Sequence, residues 1–87
     1  MEQITLPDDF QDLCSWYMWD HDLMSDRSLQ RAQSSMEEIQ SFYDAMLPRM
    51  EKILKYLVTV PMSDDMEPAS KSLLNLAKSM AEVAPAV

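Results

Sequence analysis

The sequence predicts an all-α fold, a small three-helix bundle, and three observations carry this prediction. The chain of 87 residues contains no glycine, and tight β-hairpins depend on glycine. Its five prolines divide the sequence into segments of helical length. Within these segments apolar residues recur at steps of three and four, the spacing of one helix face. Because a chain of this length has room for one core, residues 1–87 are predicted to form a single helical domain.

The first predicted helix covers about residues 7–20. Pro7 suits a first helical turn, and the acidic residues after it would face the positive end of the helix dipole. The apolar residues at helical spacing are Leu6, Phe10, Leu13, Cys14 and Tyr17. If these face the bundle at 3.6 residues per turn, Trp16 and Trp19 lie toward one edge of that face. We therefore expect both tryptophans to be partly exposed.

The second predicted helix, about residues 26–59, has the clearest apolar pattern. Steps of three and four alternate for more than four heptads through Leu29, Ala32, Met36, Ile39, Tyr43, Met46, Met50, Ile53, Leu57 and Val60. Pro48 lies inside this pattern, where proline removes a backbone hydrogen bond and crowds the preceding turn. Because the apolar phase continues across Pro48, the sequence favours one kinked helix over two helices joined by a turn.

Two other features of this helix bear on its surroundings. The apolar stripe widens after Pro48, so the C-terminal half of the helix is predicted to form the centre of the bundle. Glu37, Asp44 and Glu51 recur at steps of seven on another face. We expect these carboxylates to form a solvated outer stripe.

The third predicted helix covers about residues 66–84. Its apolar positions are Met66, Ala69, Leu73, Leu76, Met80, Val83 and Val87. Pro68 is acceptable in the first turn, and Pro85 is expected to end the helix. Small side chains flank the apolar positions and let a neighbouring helix approach closely. The second and third helices are therefore predicted to form an antiparallel hairpin, closed by a loop at Pro61.

Composition restricts the classes of function. The formal net charge of -8 repels nucleic-acid phosphates and anionic lipid headgroups, so we expect neither direct nucleic-acid binding nor membrane binding. Glycine-dependent phosphate loops and nucleophile elbows are absent. One cysteine and no secretory signal pattern suggest a cytoplasmic location. We expect a protein that is not an enzyme and uses no cofactor.

The acidic residues are concentrated in an aromatic N-terminal segment. Residues 1–26 contain Glu2, Asp8, Asp9, Asp12, Asp20, Asp22 and Asp26 but no Lys or Arg. Large aromatic side chains among acids are typical of an interface anchor that attracts a basic partner. This segment and the heptad helix form the predicted binding surface, whose partner-binding residues are Phe10, Leu13, Trp16, Tyr17, Trp19, Leu29, Met36, Tyr43, Met46 and Met50.

The sequence therefore predicts a non-catalytic protein-protein interaction module, which is either a homodimer or a small accessory subunit of a larger assembly. A heptad stripe of this length exposes apolar surface that one small chain can hardly cover. Small proteins usually bury such surface by associating with another protein chain. Methionine at several stripe positions suits a groove that adapts to an apolar helix.

Two other functions stay open. Cys14, Met18 and His21 are spaced by four and three residues, so a helix would place three soft ligands for copper or zinc along one stripe. Against such a site, the chain has no second histidine and no CxxC pair. The other alternative is an acidic protein that mimics nucleic acid and occupies a basic site. It requires acids over one extended face, whereas here they are concentrated before Arg27.

Overall fold

The computed structural model describes residues 6–60 and 66–86, which form helices and the turns that join them. The elements are a 3-10 helix at Asp8–Trp19, α1 (Met24–Gln33), α2 (Met36–Met46), a 3-10 turn at Leu47–Arg49, α3 (Met50–Leu57), α4 (Pro68–Val83) and a 3-10 turn at Ala84–Ala86. The predicted all-α class is confirmed for this part of the chain. It contains four α-helices where the sequence pattern predicts three.

The predicted second helix is interrupted at Ser34 and Ser35, which both have extended backbone angles. Ser35 starts α2 with a capping box: its Oγ accepts a hydrogen bond from the Glu38 amide at 3.1 Å, and Glu38 Oε1 accepts one from the Ser35 amide at 2.8 Å. These two bonds satisfy backbone N–H groups that have no partner within the helix. The prediction of one helix over residues 26–59 is therefore wrong.

We expect Ser35→Ala to lower the free energy of unfolding by about 1 kcal/mol, because the first turn of α2 loses its side-chain acceptor. Urea denaturation followed by circular dichroism measures this change. Ser28→Ala, at an exposed serine within α1, is the matched control and should change stability by less than about 0.5 kcal/mol. Equal losses in the two variants would contradict a capping role for Ser35.

Pro48 lies in a segment that keeps right-handed helical backbone angles. Met46, Leu47 and Met50 all have α-helical angles, and the 3-10 turn between α2 and α3 accommodates the missing amide of the proline. Arg49 connects this turn to the N-terminal 3-10 helix by side-chain contacts. Its Nη1 donates to Asp12 Oδ2 at 2.7 Å, and its guanidinium lies 5.5 Å from the centre of the Phe10 ring.

The N-terminal segment is a 3-10 helix, whereas the sequence pattern predicts an α-helix. The segment is not one regular helix, because Phe10 (φ -124°, ψ 20°) and Trp16 (φ -93°, ψ 23°) have non-helical backbone angles. Trp19 follows the irregular residue Trp16 and stacks on Phe42. Trp19 is only 1 % exposed and Trp16 is half-buried, while Tyr17 is 36 % exposed. The expected exposure of Trp19 is therefore wrong, because it assumed a regular α-helix.

The core surrounds α4, which contacts the N-terminal 3-10 helix, α1, α2 and α3. The buried apolar residues are Leu6, Phe10, Leu13, Trp19, Ile39, Phe42, Met46, Ile53, Leu57, Leu73, Leu76, Ala77, Met80 and Val83. The heptad positions from Ile39 onward are buried or half-buried, whereas Leu29, Ala32 and Met36 are exposed. The centre of the bundle is therefore α4 and not the C-terminal half of the predicted second helix.

α3 and α4 contact each other, as the predicted hairpin requires. Three small side chains of α4 are buried, namely Ser70, Ala77 and Ser79. The predicted closing loop at Pro61 and the apolar position Val87 lie outside the described residues. The antiparallel hairpin therefore stays a prediction.

Candidate functional site

The ten predicted partner-binding residues fall into three groups. Four lie in the core: Phe10, Leu13, Trp19 and Met46. Three are half-buried at its edge: Trp16, Tyr43 and Met50. Three are exposed: Tyr17, Leu29 and Met36. A partner can reach only the second and third groups while the domain stays folded.

Trp19 is an internal packing residue. Its indole stacks on the Phe42 ring with centroids 4.6 Å apart and planes inclined by 8°. Its backbone carbonyl accepts a 2.7 Å hydrogen bond from Ser79 Oγ. The indole Nε1 is buried and has no hydrogen-bond partner among residues 6–60 and 66–86. These contacts join the N-terminal 3-10 helix to α2 and α4, so Trp19 stabilises the fold.

Exposed apolar side chains follow one flank of α2, the Pro48 turn and α3. This apolar stripe consists of Met36, Tyr43, Leu47, Leu54 and Val58. Tyr43 is half-buried, the others are more than half exposed, and Val58 reaches 81 %. An α-helix turns by about 100° per residue. Viewed down the helix axis, each of the five positions lies roughly 70–120° from the centre of the buried face, always on the same side of it. The five side chains therefore form a row beside the core.

Acidic side chains border the outer edge of the apolar stripe. Glu37 and Asp44 directly follow two stripe residues, so each lies about 100° further around α2. On α3, Lys55 directly follows the stripe residue Leu54, and Glu51 lies one turn before Lys55. All three acidic residues are exposed, as the sequence predicts. Glu51 pairs with Lys55 at 3.4 Å, but both side chains are largely exposed and such a pair contributes little. A partner on the stripe therefore meets negative charge along α2 and a paired Glu51 and Lys55 along α3.

A cavity of about 260 Å³ lies between the N-terminal 3-10 helix and α2. The residues that line this tryptophan cavity are Trp16, Met18, Trp19, Glu37, Glu38 and Ser41. A neighbouring groove is lined by Met36, Glu37, Gln40 and Ser41. Because Glu37 and Ser41 belong to both, the cavity continues into this groove on the outer face of α2. Glu38 and Ser41 lie on the flank of α2 opposite the apolar stripe. The sequence pattern does not identify Glu37, Glu38 or Ser41 as binding residues, since only the fold brings them to the aromatic segment.

The acidic turn after Trp19 is attached to α4. The buried amide of Asn75 donates through Nδ2 to Asp20 Oδ1 at 2.8 Å and to Asp22 Oδ1 at 2.7 Å. Ser72 Oγ donates to Asp20 Oδ2 at 2.9 Å. The Asn75 hydrogen bond lowers the pKa of Asp22, partial burial opposes this, and the Lys71 ammonium lowers it further. These two carboxylates, expected to attract a basic partner, instead hold the turn in place.

α1 is attached to the rest of the domain through charged groups. Its one buried residue is Arg27, which is 6 % exposed. Arg27 Nε donates to Glu82 Oε2 at 3.0 Å, and its Nη1 donates to the His21 carbonyl at 2.9 Å. Arg31 Nη1 donates to the Glu82 carbonyl at 3.2 Å. Leu29 is exposed on this helix and does not belong to the apolar stripe.

The three predicted soft metal ligands have different neighbours. Cys14 Sγ lies 3.6 Å from Gln11 Oε1, His21 Nε2 lies 3.4 Å from Gln30 Oε1, and Met18 lines the tryptophan cavity. Within the described part of the chain, no group of three or more His, Cys, Asp or Glu residues is arranged to hold a metal ion. The soft-metal alternative therefore has no assembled set of such ligands there.

The longest α-helix that the structure describes is α4, with 16 residues. Over residues 6–60 and 66–86, no helix combines the length and the apolar character that crossing a membrane requires. Comparison of the chain with models of protein families, with curated proteins and with solved structures finds no match.

Proposed function

We propose that this protein is a non-catalytic interaction module and a small accessory subunit, whose apolar stripe binds an amphipathic helix of a different protein. The observation that carries this proposal is the row of exposed apolar side chains along α2 and α3, from Met36 to Val58. A row beside a helical core is a surface on which the apolar face of a partner helix packs. Apolar side chains along one flank of a helix are typical of a surface that packs against another helix.

The charge around the stripe favours a basic partner. Glu37 and Asp44 border its outer edge along α2, Glu51 is paired with Lys55 along α3, and the whole chain carries a net charge of -8. A helix with Lys or Arg beside its apolar face would place opposite charges along this border, which speeds association and fixes orientation. A second copy of this chain would bring like charges together. Charge therefore favours a different protein over the homodimer.

The stripe supports binding of moderate strength. Leu47 and Leu54 are each about half exposed, so covering either one would contribute roughly 1 kcal/mol from apolar burial. Association also costs translational and side-chain freedom, so a few such residues do not give tight binding by themselves. We therefore expect a dissociation constant on the order of micromolar.

A synthetic amphipathic helix with leucines on one face and lysines on both flanks tests the proposal. We expect it to bind the protein in fluorescence anisotropy at physiological salt, while a peptide with glutamate flanks does not bind. Leu54→Asp should weaken binding about tenfold, because it places a carboxylate within the apolar stripe. Leu47→Asp should have a similar effect.

Leu29→Asp is the matched control. Leu29 is 55 % exposed and Leu54 is 52 % exposed, and both substitutions add one negative charge. Leu29→Asp should therefore leave the affinity within about twofold, as expected for a site outside the interface. Equal weakening by the two variants would contradict the proposed surface. Sedimentation showing a dimer of the free protein that Leu54→Asp dissociates would assign the stripe to self-association instead.

A further inference from the structure

We infer that the tryptophan cavity receives one arginine side chain of a basic protein partner. At about 100° per residue, Glu38 and Ser41 lie on the flank of α2 opposite the apolar stripe, the side on which Trp16 contacts Phe42. The cavity is therefore a second contact site, and Glu37 lies on the outer face of α2 between the cavity and the stripe. This inference rests on the proposed function in that it takes the partner to be a basic protein.

The lining of the cavity matches the chemistry of a guanidinium group. Trp16 supplies a half-buried indole ring, and Glu37 and Glu38 supply negative charge. A guanidinium is planar, weakly hydrated, stacks on aromatic rings and donates in a fork to carboxylates. The two carboxylates repel an anionic ligand, which excludes phosphates and acidic side chains. One Glu38 oxygen already accepts the Ser35 amide, so Glu37 is the principal ion-pair partner.

The size of the cavity fits one side chain. Its volume of about 260 Å³ is below the range of roughly 300–1,000 Å³ that is typical of sites for drug-sized ligands and cofactors. Trp16 and Met18 provide accessible apolar walls. Long basic side chains bury their methylene stems against apolar surface while their charged ends stay near water. The exposed Glu37 is suited to meet such a charged end.

The probe is N-acetyl-arginine methylamide, and the neutral analogue is the corresponding citrulline amide, which has nearly the same shape. We expect the arginine amide to bind weakly, on the order of millimolar, and to shift the NMR signal of the Trp16 indole N–H more than that of the buried Trp19. The chain contains two tryptophans, so single substitutions assign both signals. The citrulline amide should produce much smaller shifts at equal concentration.

Glu37→Gln should weaken arginine-amide binding about threefold to tenfold, because it removes the charge and nearly preserves the shape. Glu67→Gln, at an exposed glutamate beside α4, is the matched control and should have no effect. Trp16→Ala should abolish binding, and circular dichroism checks its fold. Equal shifts by the arginine and citrulline amides, or unchanged affinity in Glu37→Gln, would overturn the inference.

The same titration distinguishes this inference from the proposed function. Leu54→Asp lies on α3, away from the cavity lining, and should leave arginine-amide binding unchanged. If the lysine-flanked helix binds the stripe and the arginine amide shows no preference over citrulline, the inference fails and the proposed function stands. If the arginine amide binds and the helix does not, the proposed docking mode fails instead.

Discussion

Phe42→Ala is expected to lower the free energy of unfolding by about 3–5 kcal/mol. Phe42 has no exposed surface, stacks on Trp19 and has its ring centre 5.7 Å from that of Trp16. Truncation would leave a cavity beside two rigid indoles that cannot readily fill it. Because domains of this size have a total stability of roughly 4–13 kcal/mol, the loss would be a large part of the whole.

Urea denaturation followed by tryptophan fluorescence measures this effect, since both indoles adjoin Phe42. Phe42→Leu, which keeps most of the buried volume, should cost no more than about 1.5 kcal/mol and still fold if the alanine variant does not. Tyr17→Ala, at an exposed aromatic residue of the neighbouring 3-10 helix, is the control and should have a small effect. A loss below about 1 kcal/mol in Phe42→Ala would contradict the central role of this aromatic cluster.

The helical class and much of the core follow from apolar spacing alone. From Ile39 to Leu57 the predicted heptad positions are buried or half-buried, because these residues do form α-helices with about 3.6 residues per turn. The pattern fails where another local interaction is stronger. Ser35 and Glu38 form a capping box that starts a new helix, although the apolar phase continues through both residues. The Ser-x-x-Glu motif at residues 35–38 was the feature of the sequence that indicated this helix start.

The N-terminal segment shows why periodicity alone is insufficient there. At steps of three and four, Phe10 and Leu13 fit an α-helix and a 3-10 helix equally well. The structure follows neither period throughout, because Phe10 and Trp16 have non-helical backbone angles. Burial of Trp19 against Phe42 brings together residues 23 positions apart. Local sequence rules do not encode that contact.

The candidate site is predictable in part. Met36, Tyr43 and Met50 belong to the predicted binding surface, and two of them lie on the apolar stripe. Of the predicted outer stripe, Glu37 and Asp44 become its acidic border along α2, and Glu51 pairs with Lys55 along α3. The tryptophan cavity could not be predicted, because it depends on how the 3-10 helix lies against α2. Likewise, only the three-dimensional fold shows that Asp20 and Asp22 are used to bind α4.

Asn75→Asp is expected to lower the free energy of unfolding by about 2–4 kcal/mol at pH 7. The native amide donates to Asp20 and Asp22, so the substitution removes a buried donor and places a third carboxylate between them. In the native protein the pKa of Asp22 is lowered, mainly by the Asn75 bond. That bond therefore stabilises the fold above the ordinary carboxyl pKa of about 4 and is lost as the pH falls through the lowered value.

The free energy of unfolding of Asn75→Asp should depend on pH in a higher range than that of the native protein. Repulsion among three carboxylates raises their pKa in the folded state, so protonation on folding relieves the destabilisation as the pH falls from 7 toward 4. Urea denaturation at both pH values should show that the native protein exceeds Asn75→Asp in free energy of unfolding by less at pH 4 than at pH 7. Asn75→Ala removes the donor without adding charge, so its loss of unfolding free energy should be nearly the same at both pH values. Parallel behaviour of the two variants would contradict the close contact of Asn75 with both carboxylates, because only proximity makes the added charge costly.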